Sequence, residues 1–214
     1  NGAAGTADAT FRGQSIEHWV ERLRQGPGPE FTEEGERALP VWTAAASDPQ
    51  AIDWVRHAMS FQFRDKNWVG PVYVAMFDVP GPLYRILAIG ELASRPQAAQ
   101  RVAPDIIKQA LVWSQSDDPE EVDLVNSMVQ VLIKLKLPAE QTTELVKELW
   151  PTDSNARSLR RSLLELLARS GSKGVGPAID IFLDFQPPLE DLRYFTDHIE
   201  TEAMAKINNQ SRQA

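Results

Sequence analysis

Three arginines of this sequence have the spacing of a binding surface. Arg157, Arg160 and Arg161 lie at i, i+3 and i+4, which places their guanidinium groups on one side of a predicted helix. Guanidinium groups bind carboxylates in bidentate geometry, so the spacing predicts a surface that binds an acidic partner protein. The structural alternative is an ion-pair ladder in which Glu120 and Glu121 of an equivalent earlier helix face these arginines. Stacking of helices in register favours the ladder.

A second candidate is the aromatic-rich segment from Phe61 to Phe77. The polar run from Arg64 to Asn67 interrupts its apolar pattern, and this interruption would bring Trp68 to the surface beside Arg64. The two side chains would then contact a protein partner. Burial of Trp68 in the core is the favoured alternative, because large apolar side chains are usually buried unless they form part of a binding site.

Other reactive residue types lack the spacing that chemistry needs. His18, His57 and His198 fall on three different predicted helices without ligand spacing, and the chain has no cysteine. Paired acids such as Glu120 and Glu121 lie where helices begin, where they complement the helix dipole. The sequence therefore predicts no catalytic residue, metal ligand or cofactor site. A helical-fold enzyme whose site is assembled from distant positions stays open as the alternative.

Composition and charge restrict the class of partner. The net charge of −8 argues against a nucleic-acid backbone, because nucleic-acid-binding proteins usually present a basic face. No apolar run approaches the roughly 20 residues that a transmembrane helix needs. These features leave a protein as the expected partner.

Amphipathic helices account for most of the chain. Ser15 and the pair Asp118-Pro119 are helix-start signals, since serine and aspartate cap helices and proline fits the first helical position. Apolar residues then recur at helical spacing, as in Val122, Val125 and Val129. Val72 to Phe77 has strand propensity but no visible partner strand, so we predict a helix there. The last predicted helix runs from about Leu189 to Ile207, with Leu192, Phe195, Ile199 and Ala203 facing inward. The fold class predicted is all-α.

Helix pairs recur with a loose period of about 35 to 37 residues, a length typical of two-helix repeats. The predicted pairs are Leu83 to Trp113, Glu120 to Trp150, and Ser154 to Phe185. The stretches Arg157 to Gly171 (RSLRRSLLELLARSG) and Leu83 to Ala93 (LYRILAIGELA) resemble first helices of HEAT-type repeats. Phe11 to Leu23 (FRGQSIEHWVERL) resembles a leader helix that precedes such repeats in some bacterial proteins. The resemblance covers about Gly81 to Pro187. It implies a right-handed α-solenoid of antiparallel helix pairs that acts as a non-enzymatic scaffold or interaction module.

The predicted division of the chain follows from these patterns. A flexible lead-in (1–10) precedes a single helical-repeat domain (11–207), and a frayed tail (208–214) follows it. Within the domain we predict an N-terminal helical cap (11–59), an irregular aromatic connector (60–82) and stacked helix pairs (83–207). The chain starts at Asn1 without a methionine, which fits an exported bacterial protein after signal-peptide removal, with a cytoplasmic protein as the alternative.

Overall fold

The helix signals of the sequence correspond to helices in a computed structural model, which describes residues 10–26, 28–151, 156–185, 188 and 190–199. These residues are predominantly helical, which confirms the all-α prediction. The predicted tail and nearly all of the predicted lead-in lie outside the described residues, as does the predicted last helix beyond residue 199. The chain divides into two compact units, Asn1–Val102 and Ala103–Ala214.

Unit 1 consists of short helices behind a small hairpin. Its elements are β1 (Thr10–Phe11), β2 (Gln14–Ser15), α1 (Ile16–Arg24), α2 (Pro29–Glu34), a 3-10 turn (Gly35–Ala38), α3 (Leu39–Ala46), α4 (Ile52–His57), a π-helical turn (Ala58–Gln62), a 3-10 turn (Asn67–Val69), α5 (Gly70–Ala75), a 3-10 turn (Met76–Asp78), α6 (Pro82–Ser94) and α7 (Pro96–Arg101).

A short hairpin precedes α1, which begins after Ser15 as predicted. Arg12 and Gly13 have φ angles of 50° and 76°, so the chain reverses direction there and β1 pairs antiparallel with β2. Ser15 is the predicted helix cap, since its side chain accepts a hydrogen bond of 3.2 Å from the His18 backbone N–H. Helix α1 therefore starts at Ile16, and Phe11 lies in a strand.

Aromatic rings form the centre of the core of unit 1. Neighbouring ring centroids lie 4.9 to 5.8 Å apart, mostly in edge-on or tilted geometry, in the order Phe11, Trp19, Phe31, Trp42, Phe63 and Trp68. Each such pair contributes about 0.5–1.5 kcal/mol beyond its buried area. This aromatic chain connects the hairpin, α2, α3 and the start of the segment predicted as a connector.

The segment predicted as a connector forms a helix and contributes buried side chains to the core of unit 1. It contains α5, so the helix predicted for Val72 to Phe77 is present in part, and a 3-10 turn follows it. Val72, Tyr73 and Phe77 are buried, and α5 packs against both α3 and α6. Residues 60–82 are consequently part of the same folded unit as the predicted cap helices.

Unit 2 contains longer and more regular helices. They are α8 (Ala103–Ser114), α9 (Pro119–Ile133), α10 (Ala139–Leu149), α11 (Arg157–Ala168) and α12 (Ser172–Phe185), and residues 190–199 are also helical. The Asp118 side chain accepts a 3.0 Å hydrogen bond from the Glu120 backbone N–H, as expected of the predicted cap. The helix pair predicted from Leu83 to Trp113 is divided between the units, since α6 belongs to unit 1 and α8 to unit 2.

Each of the helices α8 to α12 packs against at least one sequence neighbour and against the next helix but one. Helix α9 contacts α8 and α11, while α10 contacts α8, α11 and α12. Leucines of α11 such as Leu163, Leu164 and Leu167 are completely buried between these neighbours. The apolar stripe of α11 is therefore covered by helices on both sides.

Among the described residues, no helix is both long enough and apolar enough to cross a membrane.

Two glycines in unit 1, Gly70 and Gly90, make a matched test of how tightly its helices pack. A Cβ added at Gly70 would lie 2.6 Å from the Ala98 carbonyl oxygen, whereas one added at Gly90 would meet no atom within 4 Å. Gly70→Ala should lower the free energy of unfolding by about 1–3 kcal/mol through overpacking. Gly90→Ala should raise it by about 0.5–1 kcal/mol, because alanine stabilises an open helical position. Urea unfolding followed by circular dichroism measures both, and equal effects of the two changes would contradict the packing described at Gly70.

Candidate functional site

Arginines of α11 line a groove together with the helix of residues 190–199. The groove has a volume of about 520 Å³. This groove, here called the arginine groove, is lined by Arg157, Arg161, Glu190, Arg193, Tyr194 and Asp197. Three guanidinium groups and two carboxylates therefore share one surface of unit 2.

Arg160, the third predicted site residue, is a buried structural residue. Its Nε donates a 2.8 Å hydrogen bond to Asp191 Oδ2, and the two residues are only 5% and 1% exposed. Charges removed from water are costly unless they are paired and hydrogen-bonded. Arg160 therefore anchors the helix of residues 190–199 to α11 and does not face the arginine groove.

Arg157 is exposed and forms an ion pair with Glu190. Exposed pairs of this kind contribute little to stability, and water screens the interaction. Arg157 and Arg160 therefore form ion pairs with the helix of residues 190–199, which comes after α12 in the chain. The predicted ladder instead named Glu120 and Glu121, which lie on the earlier helix α9.

Arg161 packs its guanidinium carbon 5.1 Å from the centre of the Tyr194 ring. Its Nε is buried and, among the described residues, has no hydrogen-bond acceptor. Cation–π contact with Tyr194 holds the plane of the guanidinium in place without using its terminal N–H groups. Those groups are the donors that Arg161 has left for a ligand.

Tyr194 contributes a neutral phenol to the arginine groove. Desolvation raises the pKa of Tyr194, the nearby charge of Glu165 raises it further, and Arg161 opposes both effects. The phenol therefore stays protonated at neutral pH and can donate a hydrogen bond. The centroid of its ring lies 4.0 Å from the ring centroid of His198, which packs against it on the same helix.

Neutral hydrogen bonds connect α11 to α9 on its other side. Gln130 donates to Ser162 Oγ at 2.8 Å, Ser162 donates to Asn126 at 2.7 Å, and Asn126 donates to Ser158 Oγ at 3.1 Å. Such a connected network favours one alignment of the two helices, because the buried Ser162 hydroxyl needs its partners. The orientation of α11, and so of its arginines, is set from this side by uncharged groups.

Trp68 lies in the core of unit 1. It is 7% exposed, and its ring packs 4.9 Å from Phe63 at the end of the aromatic chain. Trp68 is therefore buried in the core, as the favoured alternative predicted. Trp68 is not available as an exposed anchor for a partner, because the apolar area of an indole is stabilised more by the core than by water.

Arg64 is exposed and lines a separate cleft in unit 1, here called the α6 cleft. This cleft measures about 750 Å³, and Ser60, Glu91 and Arg95 also line it. Ser60 donates a 3.0 Å hydrogen bond to Glu91 Oε1, and Arg95 forms a 2.8 Å ion pair with Glu91 Oε2. Both oxygens of the Glu91 carboxylate are therefore already engaged by neighbouring side chains.

Tyr73 extends this network into the core. Arg95 Nη1 donates to the Tyr73 hydroxyl at 2.6 Å and to the Met59 carbonyl at 3.2 Å. Burial raises the pKa of Tyr73, and Arg95 opposes the shift. A phenol that is harder to ionise does not act as a base at neutral pH, so the network is best explained as structural. Within the described residues, no group of three or more His, Asp or Glu side chains could hold a metal ion.

Four residues of the arginine groove were not predicted as site residues: Glu190, Arg193, Tyr194 and Asp197. They lie more than 30 positions after Arg157, on a helix whose predicted inward residues included Leu192 and Phe195. Phe195 is buried, whereas Leu192 is 40% exposed. The isolated arginine-tyrosine pair between these apolar residues was the available signal, but it does not show which helix lies opposite.

The two acids on the helix of residues 190–199 make a matched test of the anchor. Asp191→Ala should lower the free energy of unfolding by about 3 kcal/mol, because it leaves the buried Arg160 guanidinium without its carboxylate. Glu190→Ala should change it by less than about 1 kcal/mol, since that ion pair is exposed. Thermal and urea unfolding measure both. A small effect of Asp191→Ala would contradict the anchoring role.

Tyr73 should make the protein less stable at alkaline pH. Its pKa in the folded state lies above the value of about 10 in the unfolded chain, so the folded protein keeps a proton that the unfolded chain loses. The free energy of unfolding should fall above about pH 10 by up to about 1.4 kcal/mol per pH unit from this group. Tyr73→Phe should make this slope shallower, and Tyr84→Phe, at a partly exposed position, should change it less. Urea unfolding at several alkaline pH values tests this, and an unchanged slope in Tyr73→Phe would refute it.

Comparison of the chain with models of known families, with curated proteins and with solved structures finds no significant match. The functional assignment of the arginine groove therefore depends on its own charges, contacts and burial.

Proposed function

We propose that this protein is a non-enzymatic helical-repeat module that binds a partner protein, and that the arginine groove receives an anionic group of that partner. The observation that carries the proposal is the convergence of Arg157, Arg161 and Arg193 in one groove. A net charge of −8 makes such a local excess of positive charge stand out.

The charge contrast supports recognition at a defined place. Acidic partners are repelled by most of a negatively charged surface, so close contact is favourable only where guanidinium groups are concentrated. Two of the three guanidinium groups, those of Arg161 and Arg193, form no ion pair with a carboxylate of the described residues. They are therefore the groups that a ligand would engage first.

The packing of unit 2 supports a scaffold built from stacked helix pairs. Contacts of each helix with at least one sequence neighbour and with the next helix but one are expected of a repeat stack, in which each repeat touches only adjacent repeats. A right-handed HEAT-like solenoid with residues 11–59 as its N-terminal cap is the arrangement we propose. In such a stack α11 and the helix of residues 190–199 would be successive helices of one row, and the groove would lie between them.

The alternative of a helical enzyme would place its site in the α6 cleft, where Ser60, Glu91 and Arg95 meet. There, the pairing of Glu91 with Arg95 and the raised pKa of Tyr73 support a structural role for the polar network. The interaction module is thus the function that the geometry supports better.

Binding of acidic peptides tests the proposal. An array of Asp- and Glu-containing peptides with neutral counterparts should yield ligands whose affinity, measured by fluorescence anisotropy, falls as salt is raised. The double variant Arg161→Gln/Arg193→Gln should weaken binding by about a hundredfold or more, because each of the two lost charge-assisted contacts is worth about 1.5–3 kcal/mol. Arg37→Gln is the control, since this substitution removes a positive charge from an exposed site in unit 1, outside the arginine groove.

Two results would contradict the proposed function. One is an array in which acidic peptides bind no better than neutral ones. The other is undiminished binding by the double variant when its circular dichroism spectrum and melting temperature match those of the parent protein.

A further inference from the structure

We infer that the anionic group recognised by the arginine groove is a single phosphoryl group on a side chain of the partner, rather than a run of carboxylates. This inference rests on the proposed function and adds the chemical class of the ligand. It depends on how the positive and negative charges are distributed along the two helices that form the groove.

The positive charges are close together. Arg157 and Arg161 lie at i and i+4 on α11, so their Cβ atoms are separated by about 6 Å, one helical turn. Arg193 faces them from the helix of residues 190–199 across the same groove. A compact anion can contact guanidinium groups from both helices at once, whereas consecutive side chains of an extended peptide are spread over a longer distance.

The negative charges flank the positive ones. Glu190 and Asp197 are seven residues apart, or about 10 Å along the helix axis, and Arg193 and Tyr194 lie between them. A polyacidic segment following this helix would bring carboxylates close to Glu190 at one end and to Asp197 at the other. Like charges at close range repel, so the flanking acids disfavour a long acidic run and leave the middle for one anion.

Arg161 has the donor geometry that a phosphoryl group needs. Its guanidinium is held against Tyr194, no carboxylate of the described chain forms an ion pair with it, and its Nε lacks an acceptor within the same set of residues. A planar guanidinium in a fixed orientation binds phosphate oxygens in pairs. The neutral Tyr194 hydroxyl lines the same groove and supplies a further donor.

A phosphate monoester fits this arrangement better than a carboxylate does. It carries about −1.5 to −2 charges at pH 7 and three strong acceptor oxygens, so it can satisfy Arg161, Arg193 and Tyr194 together. A carboxylate carries one charge and two oxygens. It would leave at least one of these donors to water.

Peptides in matched sets test the inference. Acidic peptides of the array, binders and non-binders alike, are made with one acidic position as phosphoserine, as glutamate or as serine, and the affinity of each form is measured by isothermal titration calorimetry. The phosphoserine form should bind about tenfold more tightly than the glutamate form. Arg161→Lys keeps the charge but loses the planar fork, so it should remove the preference for phosphoserine while glutamate peptides still bind. Arg37→Gln should retain the preference.

The outcomes separate the two proposals. Equal binding of the glutamate and phosphoserine forms would overturn the phosphoryl inference and leave the interaction module standing. Absence of binding by every form would overturn both. Inorganic phosphate alone should compete only at much higher concentration than the phosphopeptide. If it bound as tightly as the peptide, the groove would be a site for free phosphate, and recognition of a phosphorylated protein would be refuted.

Discussion

The buried ion pair between Arg160 and Asp191 is the contact on which the arginine groove depends. Both residues are almost completely removed from water, at 5% and 1% exposure. Such a pair adds little net stability compared with apolar packing, but breaking it leaves a buried charge. A shift of either helix by one turn would do this. The pair therefore selects one alignment of α11 with the helix of residues 190–199, and in that alignment Arg193 and Arg161 line the same groove.

Burial separates the roles of neighbouring arginines on α11. Arg160 faces the interior and is committed to Asp191, whereas Arg157 is exposed and shares its charge with Glu190. Arg161 lies between these extremes, because Tyr194 holds its guanidinium without consuming the charge. One arginine-rich turn thus supplies both the structural anchor and the donors for a ligand. Uncharged bonds from Asn126 and Gln130 orient the opposite side of the same helix without adding negative charge.

Features set by nearby residues could be predicted from the sequence, and features set by distant contacts could not. Ser15 and Asp118 cap helices through bonds to backbone groups two or three positions away, so their roles follow from local order. The spacing of Arg157, Arg160 and Arg161 predicted a charged face, but its acidic neighbours lie about 30 positions later. The Arg12-Gly13 turn was missed because arginine rarely adopts a positive φ. The division after Val102 has no signal in composition, since the sequence there reads like any other joint between helices.

The negative net charge affects how a cationic groove selects its ligand. At physiological ionic strength charges are screened beyond about 8 Å, so the −8 of the whole chain does not cancel the attraction between a bound anion and Arg161 or Arg193. It does disfavour the approach of extended polyanions, whose charges would lie over the acidic remainder of the surface. Selectivity arises from such repulsion as much as from attraction. A groove of this kind discriminates by the size and geometry of the anion, because only a compact group reaches the arginines without also meeting the acids beside them.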